Sequence, residues 1–361
     1  MRNQFSLTLY DNRQAPDAIR FQEHYSIQNL IVPPPDPISG LKKKEDRMCR
    51  FCSKKYPEVT FEKAAHIIPH MLGNEFLISD FECDSCNKVF SVYENQMANY
   101  LGISRTLWRV KGKKGVPNFY SPGNYTYAKT EAFFNLKEAV ILAAQKYEFD
   151  LKEGTCTIEY DKNPYRPIQV FKIFLKIALC MMSEEELVNY SNNLALLLTG
   201  KEDIHYKENP FFRIYRASLP DHHNPIAILF KKRSQELKIP THVMVFFFRD
   251  MFFQILIPNH LEDISFYSEG FQGYLMPPFH FEEAYVHHDN IGLKVDDMSE
   301  YELRREKGTI WQKFDPKIIE NLAAYDPVTG EYIDKKFDPE AIVKMILIED
   351  GEIVTFPKQQ Q

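Results

Sequence analysis

The chain has 361 residues, of which 44% are hydrophobic and 14% aromatic, enough to build the buried cores of two domains of ordinary size. Its formal net charge of −6 excludes a protein that binds nucleic acid through an overall positive charge, so any contact with a polyanion has to come from a local basic patch. The sequence has no apolar run of about 18 residues and no apolar leader, which predicts a cytoplasmic protein without membrane contact.

The N-terminal segment is predicted to be an arm that packs on the rest of the protein. It holds a weak strand-like start before residue 10 and an apolar patch from Leu30 to Val32, and the four prolines that follow break any regular element. The expected fold class is α+β, with a small domain that contains four of the six cysteines and a larger α+β domain. The predicted boundaries are 1–44 for the arm, 45–105 for the small domain, 106–125 for a basic linker and 126–361 for the larger domain.

Four of the six cysteines form two Cys-x-x-Cys pairs, Cys49 with Cys52 and Cys83 with Cys86. In a reducing cytosol this pattern favours a bound metal over disulfides. Each pair supplies two thiolates from one turn of the chain, and two such pairs complete the tetrahedral four-cysteine site that structural Zn²⁺ prefers. The other two cysteines stand alone in apolar surroundings and are predicted to be buried core thiols.

Between the cysteine pairs the chain reads His-Ile-Ile-Pro from His66 and then Gly-Asn at Asn74, and the second pair is followed directly by Asn87. In this order and spacing, residues 45–105 resemble the HNH endonuclease family. Its members have a Cys-x-x-Cys pair, a strand ending in His-Ile-Ile-Pro, a Gly-Asn loop and a Cys-x-x-Cys-Asn that opens a helix. The resemblance implies a ββα-metal fold and the hydrolysis of phosphodiester bonds.

The resemblance also implies three site residues. His66 matches the family's general base, which deprotonates the attacking water. Asn87 matches the helix residue that binds the catalytic divalent cation, expected to be Mg²⁺ or Mn²⁺. Asn74 matches the asparagine that fixes the loop and so orients the base.

One position departs from the family pattern. Many members carry an aspartate directly before the base as a second metal ligand, and this chain has Ala65. Because one amide oxygen is a weak anchor for a hard cation, another side chain is expected to complete the site. Glu94 is the first candidate, since seven residues after Asn87 it falls on the same helix face. His70 is the second, and its imidazole would shift the metal preference towards Mn²⁺, Ni²⁺ or Zn²⁺.

Lysine and arginine residues are concentrated in and just after the cysteine-containing segment, whereas the acidic excess lies later in the chain. Beside a nuclease site, these basic side chains are predicted to contact the phosphates of the duplex and to position it without reading its sequence. The predicted nucleic-acid contacts are Lys54, Lys55, Lys63, Arg105 and Lys111.

The larger domain is predicted to have a helical half followed by a β half. Apolar periodicity, and Ser183 with the three acids after it, predict helices over 133–147, 170–182 and about 184–198. Two Phe-, Ile- and Val-rich segments, 243–248 and 252–257, predict an antiparallel hairpin whose turn is the segment from Arg249 to Met251.

Together these features predict a metal-dependent DNA endonuclease of the kind used in bacterial restriction or antiphage defence, with its targeting function in 126–361. A nuclease that stays silent until a small-molecule or protein activator binds the C-terminal domain is one alternative. A catalytically inactive, zinc-containing nucleic-acid-binding protein is another, favoured by Ala65. RNA remains an alternative substrate. One ββα-metal site cuts one strand, so a double-strand break would require a homodimer or two successive nicks.

Overall fold

The computed structural model describes residues 15–124, 126–133, 136–144, 146–150, 152–199, 210–257, 262–263, 294–313, 324–325, 332–333 and 343–347. The strand-like start predicted before residue 10 lies outside them. The chain folds into two compact units, Met1–Met97 with Arg166–Leu303 and Ala98–Tyr165 with Arg304–Gln361. Helices and sheets are both present, which confirms the α+β class. Within the described residues, none of the helices has the length and apolar character needed to cross a membrane.

The helices and strands are numbered in chain order. They are α1 (Ala15–His24), β1 (Tyr25–Ile31), β2 (Ala65–His66), β3 (Ile78–Ser79), α2 (Asp84–Leu101), α3 (Ser104–Leu107), β4 (Phe119–Tyr120), β5 (Tyr127–Phe133), β6 (Leu136–Ala144), β7 (Tyr147–Asp150), β8 (Thr155–Asp161), α4 (Pro167–Met181), α5 (Glu184–Leu187), α6 (Ser191–Leu198), β9 (Arg213–Lys232), β10 (His242–Ile257), β11 (Lys294–Asp297), β12 (Lys307–Lys313), β13 (Ala324–Tyr325), β14 (Tyr332–Ile333) and β15 (Val343–Leu347).

Strand β9 is the centre of the main sheet of the first unit. Along one edge it pairs antiparallel with β10, and along the other with β1 near its end and with β11 near its start. Aromatic and aliphatic side chains on this sheet form a buried core with α1 and β1, because alternate residues of a strand point to the same face. The core residues are Phe21, Tyr25, Phe211, Ala217, Ile228, Phe230, Ile239, Val243, Val245, Phe247, Phe252 and Leu256.

The predicted hairpin with a turn from Arg249 to Met251 is wrong. Both halves of β10 pair with the same partner, β9, and the pairing register shifts on either side of Arg249, whose φ is 54°. Such an irregularity bends a strand locally but lets its pairing continue beyond the bend. The two polar residues at 249 and 250 therefore lie within one strand, opposite a stretch of β9 that holds additional residues, and the chain reverses instead between β9 and β10.

Helix α4 confirms the helix predicted over 170–182, and all of its residues are buried. It begins with Pro167, which fits the first turn of a helix because the missing N–H would have no partner there. Phe174 packs against Phe246 and Phe253 of β10, with ring centroids 5.8 and 5.2 Å apart. One face of α4 is therefore fixed on the main sheet.

The single helix predicted over about 184–198 is broken into α5 and α6 by a 3-10 turn, Val188–Tyr190. The predicted start is right, because Ser183 Oγ accepts a hydrogen bond from the Glu186 N–H at 3.3 Å. The break brings Tyr190 into the interior, where its hydroxyl is hydrogen-bonded to His242 Nδ1. Tertiary packing of one side chain thus outweighs the local helical preference.

Glu186 stands in a polar cluster beside that contact. His242 Nε2, 3.7 Å from Glu186 Oε1, and Lys231 Nζ, 2.5 Å from it, together lower the pKa of Glu186 from 4.5 to about 2 against the opposing effect of burial. A carboxyl with a depressed pKa in the folded state stabilises the protein above its unfolded pKa, and the contribution is lost as pH falls through the folded value.

We therefore expect Glu186→Gln to lower the free energy of unfolding by on the order of 2 kcal/mol at pH 7. The difference from the unsubstituted protein should shrink between pH 4.5 and about 2, because both proteins are then neutral at this position. Urea denaturation of both proteins at several pH values measures this difference in the free energy of unfolding. Glu185→Gln, an exposed neighbour, is the control and should change little at any pH.

In the second unit, two separate sheets surround a common core. One has the order β15-β6-β5-β4 and the other β12-β8-β7, and β13 pairs with β14. Buried side chains from several of these strands and from the loop before α3 form the core. They are Ile103, Phe119, Ala128, Leu142, Ala144, Cys156, Ile158, Tyr160 and Ile310.

The predicted helix over 133–147 is wrong, because this segment contains the whole of β6 and the first residue of β7. Val140 to Ala144 are consecutive buried residues that lie between β5 and β15 in the sheet. A strand covered on both faces has a continuous apolar run, and its periodicity cannot distinguish it from a buried helix.

The segment predicted as a linker, 106–125, contributes β4 to the same sheet, and Thr106 Oγ1 donates to the Pro117 carbonyl at 2.8 Å.

Candidate active site and metal centre

The four cysteines of the two pairs converge on one point. Their sulfur atoms all lie within 4.8 Å of one another. Cys49 Sγ and Cys86 Sγ are 3.7 Å apart, and Cys52 Sγ and Cys83 Sγ are 3.8 Å apart. Four Zn–S bonds of about 2.3 Å at tetrahedral angles place the sulfurs about 3.8 Å apart. The spacing fits a four-cysteine zinc site.

The two turns that present these sulfurs are built from local hydrogen bonds. In the first, Cys49 N–H donates to the Lys54 carbonyl and Ser53 N–H to the Cys49 carbonyl, both at 2.8 Å. In the second, the Asn87 N–H donates to the Cys83 carbonyl at 2.9 Å, so the pair lies at the beginning of α2. One ligand pair is therefore fixed to a tight turn and the other to a helix.

The crowded thiols have unequal proton affinities. The hydrogen bond with Cys86 lowers the pKa of Cys49 to about 5, whereas burial raises the pKa of Cys83 to about 11. The hydrogen bond with Cys49 also raises the pKa of Cys86. Metal binding requires thiolates, so a bound cation has to displace protons from this cluster.

The two cysteines outside the cluster are buried core thiols, as predicted. Cys156 is 1% exposed and Cys180 is 7% exposed. Burial raises the pKa of Cys156 to about 11 and that of Cys180 to about 12, so both remain thiols. Neither belongs to the metal-binding group that the described residues contain.

His66 lies at the end of β2, in a small two-stranded sheet. In the sequence it stands between the two cysteine pairs. It pairs with Ile78 of β3, and the next N–H, of Ile67, donates to the Leu77 carbonyl at 3.2 Å. The side chain is 8% exposed. The ring of His70 packs edge-on against that of His66, with centroids 5.2 Å apart. The predicted base and one of the two candidate metal ligands are thus brought together.

Asn74 closes the loop between β2 and β3. Its Nδ2 donates to the Ile68 carbonyl at 2.5 Å and to the Leu77 carbonyl at 3.0 Å, and its Oδ1 accepts from the Leu77 N–H at 2.8 Å. The residue is fully buried. Three hydrogen bonds from one amide tie both sides of the loop that follows His66.

We expect Asn74→Ala to lower the free energy of unfolding by about 2–4 kcal/mol, because it leaves buried backbone groups without their partner. Urea denaturation monitored by circular dichroism measures the loss. Asn95→Ala, an exposed asparagine on α2, is the matched control and should cost less than about 0.5 kcal/mol. Equal stability of Asn74→Ala and the unsubstituted protein would contradict the role of this side chain.

Asn87 and Glu94 both lie on α2, two helical turns apart, and both are half-buried. The beginning of this helix is anchored by Asp84, which accepts hydrogen bonds from Thr60 Oγ1 at 2.6 Å and from two backbone N–H groups, those of Glu62 and Lys63, at 3.0 and 2.8 Å. Burial alone would raise the pKa of Asp84, but these hydrogen bonds lower it. The segment that leads into β2 is thereby tied to the helix that carries Asn87.

The predicted phosphate contacts divide between the two units. Lys54, Lys55 and Lys63 are exposed in the first unit, while Arg105 and Lys111 belong to the second. Lys54 Nζ forms an ion pair with Glu58 at 2.6 Å, which raises the pKa of the lysine.

Three charged residues beside the site were not among the predicted site residues. Arg50, between Cys49 and Cys52, donates from Nη1 to the carbonyls that end α4, at 3.0–3.2 Å. Glu82, directly before Cys83, is paired with Lys176 of α4 at 2.9 Å. Burial raises the pKa of Glu82, and the Lys176 ammonium opposes that shift. The sequence carried one signal for them, namely the lysines within the apolar run of α4.

Comparison with known families agrees with this geometry. Residues 49–96 match the model of a family described as HNH endonuclease, and the match includes both cysteine pairs, the β2–β3 hairpin and the first part of α2. No curated protein and no solved structure matches the chain. The predicted resemblance to the HNH endonuclease family is confirmed for the segment from Cys49 to Gln96.

Proposed function

We propose that this protein is a metal-dependent endonuclease that hydrolyses phosphodiester bonds in DNA, with His66 as the general base. The observation that carries the proposal is the fixed position of His66: the hairpin that holds it is closed by the three hydrogen bonds of Asn74. A histidine so constrained within an HNH module is arranged for proton transfer.

In the proposed reaction, one imidazole nitrogen of His66 accepts a proton from a water molecule. The oxygen of that water attacks the phosphorus, and the bond from phosphorus to the 3′ oxygen breaks. When bound, the catalytic cation stabilises the charge that develops on the phosphate and on the leaving oxygen. Asn87 would hold this cation through its amide oxygen, a donor that suits Mg²⁺ and Mn²⁺.

We further propose that His70 completes the catalytic metal site in place of the aspartate that Ala65 replaces. Its ring packs edge-on against that of His66, the proposed base, with centroids 5.2 Å apart. An imidazole ligand favours Mn²⁺ over Mg²⁺. We therefore expect Mn²⁺ to support faster cleavage than Mg²⁺ at equal concentration.

Supercoiled plasmid tests the proposal directly. With Mn²⁺ or Mg²⁺ the purified protein should convert it to nicked and then linear DNA, and EDTA should stop the reaction. Asn87→Ala should raise the metal concentration for half-maximal cleavage by at least about tenfold, while Asn95→Ala should not. Salt-sensitive binding without cleavage under any metal would identify an inactive nucleic-acid-binding protein instead.

The same assay separates the remaining alternatives. A single-stranded RNA of equal length in a parallel reaction reports whether DNA is the preferred substrate. Cleavage that begins only after addition of a cell extract would identify a nuclease gated by an activator. For the proposed role in antiphage defence, cells carrying the gene should give fewer phage plaques than cells carrying the His66→Ala variant.

A further inference from the structure

Helix α4 carries two lysines in an otherwise apolar interior. Lys172 and Lys176 are 0% and 1% exposed, one helical turn apart. An ammonium group without partners is costly to bury, so each needs a specific partner. Lys172 Nζ donates to the Thr199 carbonyl at 3.0 Å and lies over the Tyr93 ring. Thr199 directly follows α6, and Tyr93 lies on α2.

Lys176 instead reaches the strand that carries the proposed base. Its Nζ donates to the backbone carbonyl of His66 at 2.6 Å and lies 2.9 Å from Glu82 Oε2 and 5.4 Å from the centre of the Phe90 ring. Burial would lower the pKa of Lys176, but the negative charge of Glu82 outweighs it and raises the pKa. The carbonyl of His66 thus accepts a charge-assisted hydrogen bond, a strong type.

The donor is itself held in place. Arg50 donates to the carbonyls of Leu179, Cys180 and Met182 at the end of α4, and its other nitrogens bind Glu184. The aromatic face of the helix packs on β10. Because β2 has only two residues, its own pairing fixes His66 at few points. The hydrogen bond from Lys176 of α4 fixes His66 at one further point.

We propose that Lys176 is a positioning residue for the nuclease reaction, which acts by holding the backbone carbonyl of His66 and so the location of the proposed base. The inference rests on the proposed function of His66. It assigns to α4, outside the segment that matches the family, a part in the chemistry of that segment. A displacement of about 1 Å of a reacting group can cost about a hundredfold in rate.

The test compares two variants of α4. Glu82→Met/Lys176→Met removes the buried ion pair as a whole, because replacing both partners with apolar residues leaves no unpaired charge and preserves folding. Lys172→Met is the matched control, a buried lysine of the same helix whose partner is the Thr199 carbonyl. Zinc content and thermal midpoint are measured for both variants to show that each is folded.

A direct readout of the contact is available because His66-Ile67 is the single His-Ile pair in the sequence. Labelling histidine with ¹³C at its carbonyl and isoleucine with ¹⁵N therefore gives one cross-peak that reports the His66 carbonyl. This peak should shift in Glu82→Met/Lys176→Met and stay in place in Lys172→Met. An unchanged peak in the double variant would overturn the inference whatever the activity.

For cleavage, we expect kcat of Glu82→Met/Lys176→Met to fall about tenfold to a hundredfold with KM for DNA within about twofold of the unsubstituted value. Lys172→Met should leave both kcat and KM for DNA unchanged. Equal losses of kcat in the two variants would show that Lys176 has only a structural role. An inactive His66→Ala beside a fully active double variant would overturn this inference alone, whereas full activity of His66→Ala would overturn the proposed function as well.

Discussion

Cys86→Ser is expected to abolish the folding of the segment from Cys49 to Gln96. It removes one of four sulfurs whose spacing fits Zn²⁺, and a structural zinc site contributes on the order of 10 kcal/mol to folding. That is comparable with the whole free energy of unfolding of an ordinary domain. The expected results are zinc content near zero by mass spectrometry, a lower thermal midpoint and rapid proteolysis within residues 49–96.

The control for this experiment is Cys156→Ser, which changes a buried thiol outside the metal-binding group. It should keep about one zinc per chain and lose only on the order of 1 kcal/mol. A chelator added to the unsubstituted protein should reproduce the effect of Cys86→Ser. If the purified protein holds no zinc and Cys86→Ser melts at the same temperature, the four cysteines are not a metal site.

His66→Ala is expected to reduce kcat for plasmid cleavage by about 10²- to 10⁴-fold, the usual contribution of a general base. DNA affinity and zinc content should stay as they are, because the substitution leaves the cysteine cluster and the exposed lysines in place. Loss of kcat at constant KM indicates a group that acts in the transition state. Single-turnover cleavage at several metal concentrations measures it.

Added imidazole provides the control for the His66→Ala result. A small base that enters the space left by the ring should restore part of the activity in proportion to its concentration. The rescue should be absent in Asn74→Ala, in which the base is retained but its loop is loosened. Cleavage by His66→Ala at the unsubstituted rate would show that another group removes the proton from water.

The zinc-binding segment was well predicted because its structure is determined by residues that are close together in the sequence. Two cysteines three positions apart must share one turn, and the residues between and after the pairs fix the order of hairpin, loop and helix. The helix over 170–182 was also found, because its apolar residues recur at helical spacing. In both cases the chemistry of neighbouring residues decides the structure.

The predictions that were wrong or missing concern segments whose structure is decided by contacts between residues far apart in the sequence. Val140 to Ala144 form a strand because they pair with β5 on one side and β15 on the other, and Arg249 lies within a strand because β10 pairs with β9 on both sides of it. Glu82 and Lys176 meet across 94 positions of sequence, so neither showed its role alone. Two lysines four positions apart in an apolar segment are nevertheless a signal, since an ammonium group in an apolar interior requires a partner.

The contacts of α4 with the zinc segment limit how far that segment can be treated as a separable part. If residues 45–105 were expressed alone, Arg50 would lose the carbonyl groups that end α4, Glu82 would lose its ammonium partner, and the His66 carbonyl would lose its donor. So small a fragment has little stability with which to offset these losses. In recombinant design, the zinc segment of this protein therefore has to be transferred together with α4, which begins about sixty residues after residue 105.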